Sequence, residues 1–147
     1  MATREAGPAD VDEITLMMHE HAAYEGAADR CRFNSAEATV AMFGPGAMLH
    51  GLIATPAGDP GGVAGCALWY PTFSSWAGHP GVFLEDLYVR PAFRRQGLGR
   101  ELLEALRALT TGRVEWDVRQ ANESAQIFYE SLGAVRVSGW LRFRWVL

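Results

Sequence analysis

The chain has 147 residues, of which 49% are apolar, and this composition suits one globular domain spanning residues 1–147. Its formal net charge of −4 argues against a nucleic-acid-binding protein, which would normally present a basic surface. No apolar run approaches the roughly 20 residues that cross a membrane, and the N-terminus lacks the apolar stretch of a signal peptide, so we expect a cytoplasmic protein.

The first half of the chain predicts a strand, two helices and an antiparallel hairpin. A helix is predicted over 7–24, and Asp10 can cap it. A second helix is predicted over 34–43, where Asn34 has capping-box spacing to a glutamate. The turn-rich sequence PAGDPGG joins the two strands of the hairpin. The strands of this half are predicted at 2–6, 47–55 and 62–70.

The second half predicts three more strands and two helices, which gives the order β-α-α-β-β-β-α-β-α-β-β. This order indicates a single α/β domain with a mixed, mostly antiparallel central sheet flanked by about four helices. The predicted segments are a loop at 71–81, a strand at 82–89, a helix at 97–110, a strand at 113–119, a helix at 122–134 that ends at Gly133, and two strands within 134–147.

No arrangement of side chains in the sequence is typical of a metal site, so we expect none. The two cysteines, Cys31 and Cys66, form no CxxC pair, and the four histidines lack ligand spacing. Two buried thiols are the expected state of the cysteines, although the sequence leaves a disulfide open. All 13 basic residues are arginine, so no lysine side chain is available as a nucleophile.

The turn RRQGLGR, residues 94–100, concentrates glycine and positive charge before a helix. The first turn of a helix has unpaired N–H groups and about half a positive charge, and glycine lets a ligand approach the backbone. These features predict a pyrophosphate site. A Walker A loop is excluded because there is no lysine, and Gly97 and Gly99 lack the third glycine of a dinucleotide fingerprint. The alternative is a plain turn whose arginines face water.

Preceded by LYVRPAF, this turn resembles the acetyl-CoA-binding motif R/Q-x-x-G-x-G/A of the GNAT superfamily of N-acetyltransferases. Arg94, Gly97 and Gly99 occupy its fixed positions. The predicted order of elements is also similar to that of the superfamily over nearly the whole chain. The resemblance implies that acetyl-CoA is a co-substrate, bound by Leu87, Tyr88, Val89, Arg94, Arg95, Gln96, Gly97, Leu98, Gly99 and Arg100.

A second stretch, NESAQIFYESLGA, resembles the superfamily helix N-x-x-A-x-x-F/L-Y-x-x-x-G-F/A. The resemblance implies that Asn122 and Ser124 contact the coenzyme and that Tyr129 lies near its sulfur, where it protonates the departing thiolate. The alternatives are that Asn122 is a simple helix cap and that Tyr129 is a core aromatic. The matching residues are Asn122, Ala125, Phe128, Tyr129 and Gly133.

The acceptor side resembles the diamine acetyltransferase branch, which includes spermidine/spermine and thialysine enzymes. The resemblance lies in FLEDLYV, in a tryptophan nine residues before its glutamate, in HAAYEG and in GWLRFR. It implies a small cationic amine as substrate, because carboxylates and aromatic faces attract ammonium groups. The residues expected to bind it are Tyr24, Glu25, Trp76, Glu85 and Asp86.

These assignments have structural alternatives. Adjacent strand residues point to opposite faces, so Glu85 and Asp86 share one pocket only if the strand bulges, as it does in the superfamily; otherwise one of them forms a salt bridge. Trp76 could instead be a hydrophobic plug, and Tyr24 and Glu25 could be an ordinary helix end.

This sequence differs from the diamine branch at two places, and the differences reduce the range of expected acceptor molecules. Ala121 stands where the branch carries a tryptophan, and Ser74 and Ser75 precede Trp76 in place of an acidic residue. Long polyamines need extra carboxylates for their distal charges. The sequence therefore favours a short diamine or a small amino acid of the thialysine or lysine type.

The resemblance implies direct transfer of the acetyl group in a ternary complex. Glu85, acting through a water, is the expected general base, and Asp86 or Glu25 would orient the substrate. A backbone N–H near Tyr88 or Val89 would stabilise the oxyanion. By analogy with the diamine branch we expect a homodimer without nucleic-acid or membrane partners. The alternatives are an enzyme that acetylates protein N-termini or antibiotics, and a non-catalytic acyl-CoA-binding module.

Overall fold

A five-stranded sheet forms the frame of this protein, and the computed structural model describes residues 3–146. The chain divides into two units, Met1–Asp117 and Val118–Leu147, and the five strands found within the described residues lie in the first. The strands, in chain order and also in sheet order, are β1 (Thr3–Glu5), β2 (His50–Ala54), β3 (Gly65–Ser74), β4 (His79–Val89) and β5 (Val114–Trp116).

The sheet is mixed and mostly antiparallel, as the sequence predicts. Antiparallel pairing joins β1 to β2, β2 to β3 and β3 to β4, whereas β5 pairs parallel to β4. The helices also coincide with predicted segments. Three belong to the first unit and one to the second: α1 (Val11–Tyr24), α2 (Ser35–Phe43), α3 (Leu98–Arg107) and α4 (Glu123–Ser131).

The first unit has a layer of helix on each face of the sheet. On one face, α1 and α2 pack on alternate residues of β2, β3 and β4, including Ile53, Cys66 and Leu68. Leu52 and Ala67 point to the opposite face and are also buried, and α3 contacts these strands there. The α3 side chains that are buried recur at helical spacing: Leu98, Leu102, Leu103 and Leu106.

The prediction of a loop at 71–81 is wrong, because most of these residues belong to strands β3 and β4 of a hairpin. The pairing runs without interruption from Trp69 opposite Leu84 to Ser74 opposite His79. β2 pairs with β3 only as far as Trp69, so the proline at 71 lies on a free edge, where a missing N–H costs little. Cross-strand pairing overrides the turn-like composition of this segment.

The two strands predicted within 134–147 are also wrong for the part of the tail that the structure describes. Residues 134–146 adopt no strand, and residue 147, like residue 2 of the predicted first strand, lies outside the described range. The alternating pattern of GWLRFRWV favours extended backbone, but a strand also needs a hydrogen-bonding partner. A lone two-stranded ribbon is marginal in water.

Asp10, at the start of α1, does not cap the helix as predicted. Asp10 stands at the N-cap position, but its side chain makes no cap hydrogen bond to α1. It accepts instead from the two Nη atoms of Arg4 on β1, at 2.7 and 2.8 Å, and from the Gly7 amide at 2.7 Å. The Arg4 hydrogen bonds lower the pKa of Asp10. This pair ties the first strand to the first helix.

Asp10→Asn should lower the free energy of unfolding at pH 7 by about 1–2 kcal/mol, because a charge-assisted bidentate pair is lost. A lowered native-state pKa contributes stability that is present above the unfolded-state value of about 4 and is lost as the pH falls through the native value. The difference from wild type in urea unfolding should therefore shrink between pH 5 and pH 3. Asp59→Asn, at an exposed turn, is the control; a pH-independent difference would contradict the assignment.

Candidate functional site

A bulge in β4 decides where the acidic residues of the sheet point. Leu68 of β3 lies opposite Asp86, but the next residue, Trp69, lies opposite Leu84. Glu85 is therefore an extra residue in the ladder, and the alternation of side chains is interrupted at this point. As a result Glu85 and Asp86 both line one cavity, although they are consecutive in the strand.

The cavity lies within the first unit and has a volume of about 780 Å³. Its walls come from α1, the connection from α1 to α2, the end of α2 and the segment after it, β3 and β4. Most of the lining is apolar, which is the usual character of a small-molecule site. The polar side chains that line it are His21, Arg32, Tyr70, Glu85 and Asp86.

The environment of the cavity perturbs the ionisation of Asp86. Burial raises its pKa, and the nearby His21 opposes this rise. The Nδ1 atom of His21 is itself buried and has no hydrogen-bond partner among the described residues. A carboxylate removed from water is stabilised by a cation that enters beside it. The cavity is therefore suited to a positively charged ligand.

Next to the bulge, the pairing of β4 with β5 ends. β5 pairs with β4 only from Val82 to Leu84, and in the described part of the chain no strand pairs with that edge from Glu85 to Val89. Backbone N–H and C=O groups along an unpaired edge can bind an extended ligand. The predicted coenzyme contacts Leu87, Tyr88 and Val89 lie on this stretch.

The glycine-rich turn continues directly from that open edge. Arg95 has φ 64°, a left-handed conformation that is uncommon outside glycine, and Gly97 has φ 85° immediately before α3. Left-handed residues in a turn make successive N–H groups converge into an anion-binding concavity, and the first turn of α3 adds its own unpaired N–H groups. Left-handed residues at 95 and 97, directly before a helix, are a backbone arrangement that can hold a phosphate.

Arg94 holds this turn in place. Its Nε donates to the carbonyl oxygen of Val89 at 2.9 Å, and its guanidinium lies 4.5 Å from the ring centroid of Tyr24 and 5.7 Å from that of Tyr88. These contacts tie the turn to the end of β4 and to the end of α1. The side chain of Arg94 is therefore an anchor for the turn.

Residues 17–134 match the model of the acetyltransferase (GNAT) family. The chain belongs to this family. It is 32% identical over 153 residues to the thialysine N-epsilon-acetyltransferase of Sus scrofa, with 96% of this chain and 89% of that protein covered. With the Caenorhabditis elegans enzyme of the same name it shares 34% over 144 residues, covering 93% of this chain and 86% of that one. The protein is an acetyl-CoA-dependent N-acetyltransferase.

Solved GNAT structures share the architecture. An aminoglycoside acetyltransferase from an uncultured soil metagenomic sample superposes with a TM-score of 0.77, covering 99% of this chain and 95% of that one. Its sequence identity of 15% is low, so this likeness concerns the fold alone.

Only some of the residues predicted to bind the acceptor of this GNAT enzyme line the cavity. Glu85 and Asp86 line the cavity, whereas Tyr24, Glu25 and Trp76 do not. Tyr24 lies under the guanidinium of Arg94, Glu25 follows the last residue of α1, and Trp76 is 88% exposed in the β3–β4 turn. The sequence motif alone could not separate these two groups.

In the second unit, the side chain of Asn122 caps α4. Its Oδ1 accepts from the Ala125 amide and from the Ser124 hydroxyl, both at 3.2 Å. This is the local role that the sequence left open for an asparagine at this position. Tyr129 lies in the last turn of α4, with its ring centroid 5.4 Å from that of Phe128. Gly133, at φ 86°, follows the helix end.

Three polar cavity residues, His21, Arg32 and Tyr70, were not singled out from the sequence. His21 lies on the same face of α1 as the buried residues Ile14 and Met17. A polar residue within an apolar helical stripe is the sequence signal that could have identified it as a site residue. Arg32 lies in the irregular connection to α2, where no periodicity exists to place it.

Neither a metal cluster nor a membrane helix is found in the part of the chain that the structure describes. Within residues 3–146, no three side chains of the His, Cys, Asp or Glu type are grouped to hold a metal ion. None of the described helices combines the length and apolar character of a membrane span. Cys31 and Cys66 are both free thiols, and burial raises the pKa of Cys66, which makes it a poor nucleophile.

Asp86→Asn should raise the free energy of unfolding at pH 7 by about 1 kcal/mol, because a carboxylate with a raised pKa weakens the native state once it is ionised. For a raised native-state pKa, stability is greatest below the unfolded-state value of about 4 and falls as the pH rises through the native one. The gain should therefore vanish near pH 3 in urea unfolding. Asp29→Asn, which is exposed, should change little; a variant less stable than wild type at pH 7 would contradict this.

Proposed function

We propose that this enzyme transfers the acetyl group of acetyl-CoA to a primary amine of a small cationic acceptor: a short diamine, a polyamine, or an amino acid of the thialysine or lysine type. The observation that carries the proposal is the β4 bulge, which brings Glu85 and Asp86 into one cavity. The thialysine acetyltransferases of Sus scrofa and Caenorhabditis elegans, similar to nearly the whole chain, support it.

The coenzyme would be bound by the backbone of the β4 edge and of the following turn. N–H groups at 95–100 would hold the pyrophosphate, with Arg95 and Arg100 adding positive charge, and the edge from Leu87 to Val89 would run along the pantetheine. The two left-handed residues of the turn support this assignment. The motif resemblance adds Asn122 and Ser124 of the second unit as further contacts.

Gly97→Ala should weaken coenzyme A binding by about 10-fold or more. A side chain at φ 85° costs about 1–2 kcal/mol, so the turn would relax and its N–H groups would no longer converge. Isothermal titration calorimetry gives the affinity. Gly58→Ala, at φ 79° in the β2–β3 turn, imposes similar strain away from the site and should leave it unchanged. Equal affinities in both variants would refute the role of the turn.

In the proposed reaction Glu85, through a water, accepts a proton from the acceptor ammonium, whose ordinary pKa is about 10.4. Asp86 holds the ammonium in the cavity. The freed nitrogen lone pair attacks the thioester carbonyl carbon, and a backbone N–H at Tyr88 or Val89 stabilises the oxyanion. The carbon–sulfur bond then breaks as Tyr129 donates a proton to the leaving sulfur. The nitrogen of the new amide loses its second proton through water to the Tyr129 phenolate, and Glu85 releases the first proton to solvent, so both residues return to their starting states.

Glu85→Gln should lower kcat by about 10²- to 10⁴-fold with a diamine or lysine-like acceptor, because the positioned proton acceptor is lost. Coenzyme A affinity should stay at the wild-type value, since the turn is untouched. Glu104→Gln, on the exposed face of α3, should behave as wild type in both assays. Steady-state kinetics decide the matter: wild-type kcat in Glu85→Gln would rule out this glutamate as the base.

Two other functions compete with this one: acetylation of protein N-termini or antibiotics, and binding of acyl-CoA without catalysis. A cavity of about 780 Å³ that contains two carboxylates favours a small cation over a peptide. From the resemblance to the diamine branch we also expect a homodimer, and the cytoplasmic location expected from the sequence stays a prediction.

A further inference from the structure

The cavity contains charges of both signs. Arg32, from the connection between α1 and α2, lines it together with Glu85 and Asp86 of the sheet. Arg32 is exposed, and it makes no ion pair or hydrogen bond with any residue in the described range 3–146. Its guanidinium is thus not neutralised by the two carboxylates of the same cavity. It remains available to an anionic group of a ligand.

The rest of the lining suits an aliphatic chain. Met18, Phe33, Met48, Leu49 and Leu68 contribute apolar surface. The cavity thus has an acidic, an apolar and a basic surface. A ligand that matched all three would have an ammonium group, a run of methylenes or a thioether, and a carboxylate. A simple diamine satisfies only the first two.

We propose that Arg32 binds the carboxylate of an α-amino acid whose distal amine is acetylated, and that it makes the enzyme prefer such amino acids to diamines of the same length. The inference rests on the proposed function and specifies its acceptor. A guanidinium presents two parallel N–H donors that match the two oxygens of a carboxylate.

The same residue disfavours the alternative acceptors. A diamine or polyamine would bring a second ammonium into the field of Arg32, and like charges repel. Glu85 and Asp86 are the carboxylates of the cavity lining, and Glu25 is not part of it. The cavity therefore offers no further carboxylate to hold a distal positive charge.

The test compares L-lysine with 1,5-diaminopentane, which is lysine without its carboxylate, at saturating acetyl-CoA. Wild type should show a kcat/KM for lysine at least 10-fold above that for diaminopentane. Arg32→Gln should lower this ratio by about 10- to 50-fold, mainly through the KM for lysine, because a charge-assisted contact is lost. Thialysine should behave as lysine does.

Three further variants sharpen the comparison. Arg32→Lys should retain part of the preference, and Arg32→Glu should reverse it in favour of diaminopentane, because the new carboxylate attracts the second ammonium. Arg30→Gln removes an exposed arginine two residues away that does not line the cavity, so its ratio should equal that of wild type.

The outcomes separate this inference from the function on which it rests. If wild type acetylates both amines and Arg32→Gln leaves their ratio unchanged, or if wild type prefers diaminopentane, the role of Arg32 is refuted while the amine acetyltransferase stands. If wild type acetylates neither lysine, thialysine nor diaminopentane, the proposed acceptor class fails, and the inference fails with it.

Discussion

One extra residue in a β-ladder is the constraint on which the site depends. Because Glu85 is the extra residue of the bulge, the side chains of Glu85 and Asp86 reach the same cavity. At the same point the pairing of β4 with β5 ends, and within residues 3–146 no other strand pairs with this edge between Glu85 and Val89. The acidic cavity and the open backbone edge therefore begin at the same residue of β4.

Ion pairs and hydrogen bonds hold the elements around this irregularity. At the end of β4, Arg90 contacts Glu13 at 2.8 Å and Glu20 at 3.1 Å, which fixes α1 against the strand and so positions His21 beside the cavity. Arg94 holds the turn through Val89. Side-chain contacts of Arg90 and Arg94 thus hold the chain just before the left-handed residues Arg95 and Gly97.

Local signals in the sequence were sufficient for much of the fold and of the candidate site. The Arg/Gly turn and α3 follow from residues adjacent in the chain. The hairpin at 71–81 does not, because the pairing of Ser74 with His79 is a property of two strands together. Arg32 could not be placed either, since an irregular connection has no period that assigns a side chain to a face. The tail shows the converse: a strand-like pattern without a partner strand does not make a strand.

The proposed reaction depends on the backbone N–H groups of the turn between β4 and α3, which would bind the pyrophosphate of coenzyme A. Amide chemical shifts of a ¹⁵N-labelled sample, titrated with coenzyme A and separately with pantetheine, test it directly. The account predicts saturable shifts at residues 95–100 with coenzyme A, and at most small ones there with pantetheine, which lacks the pyrophosphate. Saturable binding that leaves the amides of 95–100 unshifted would contradict it.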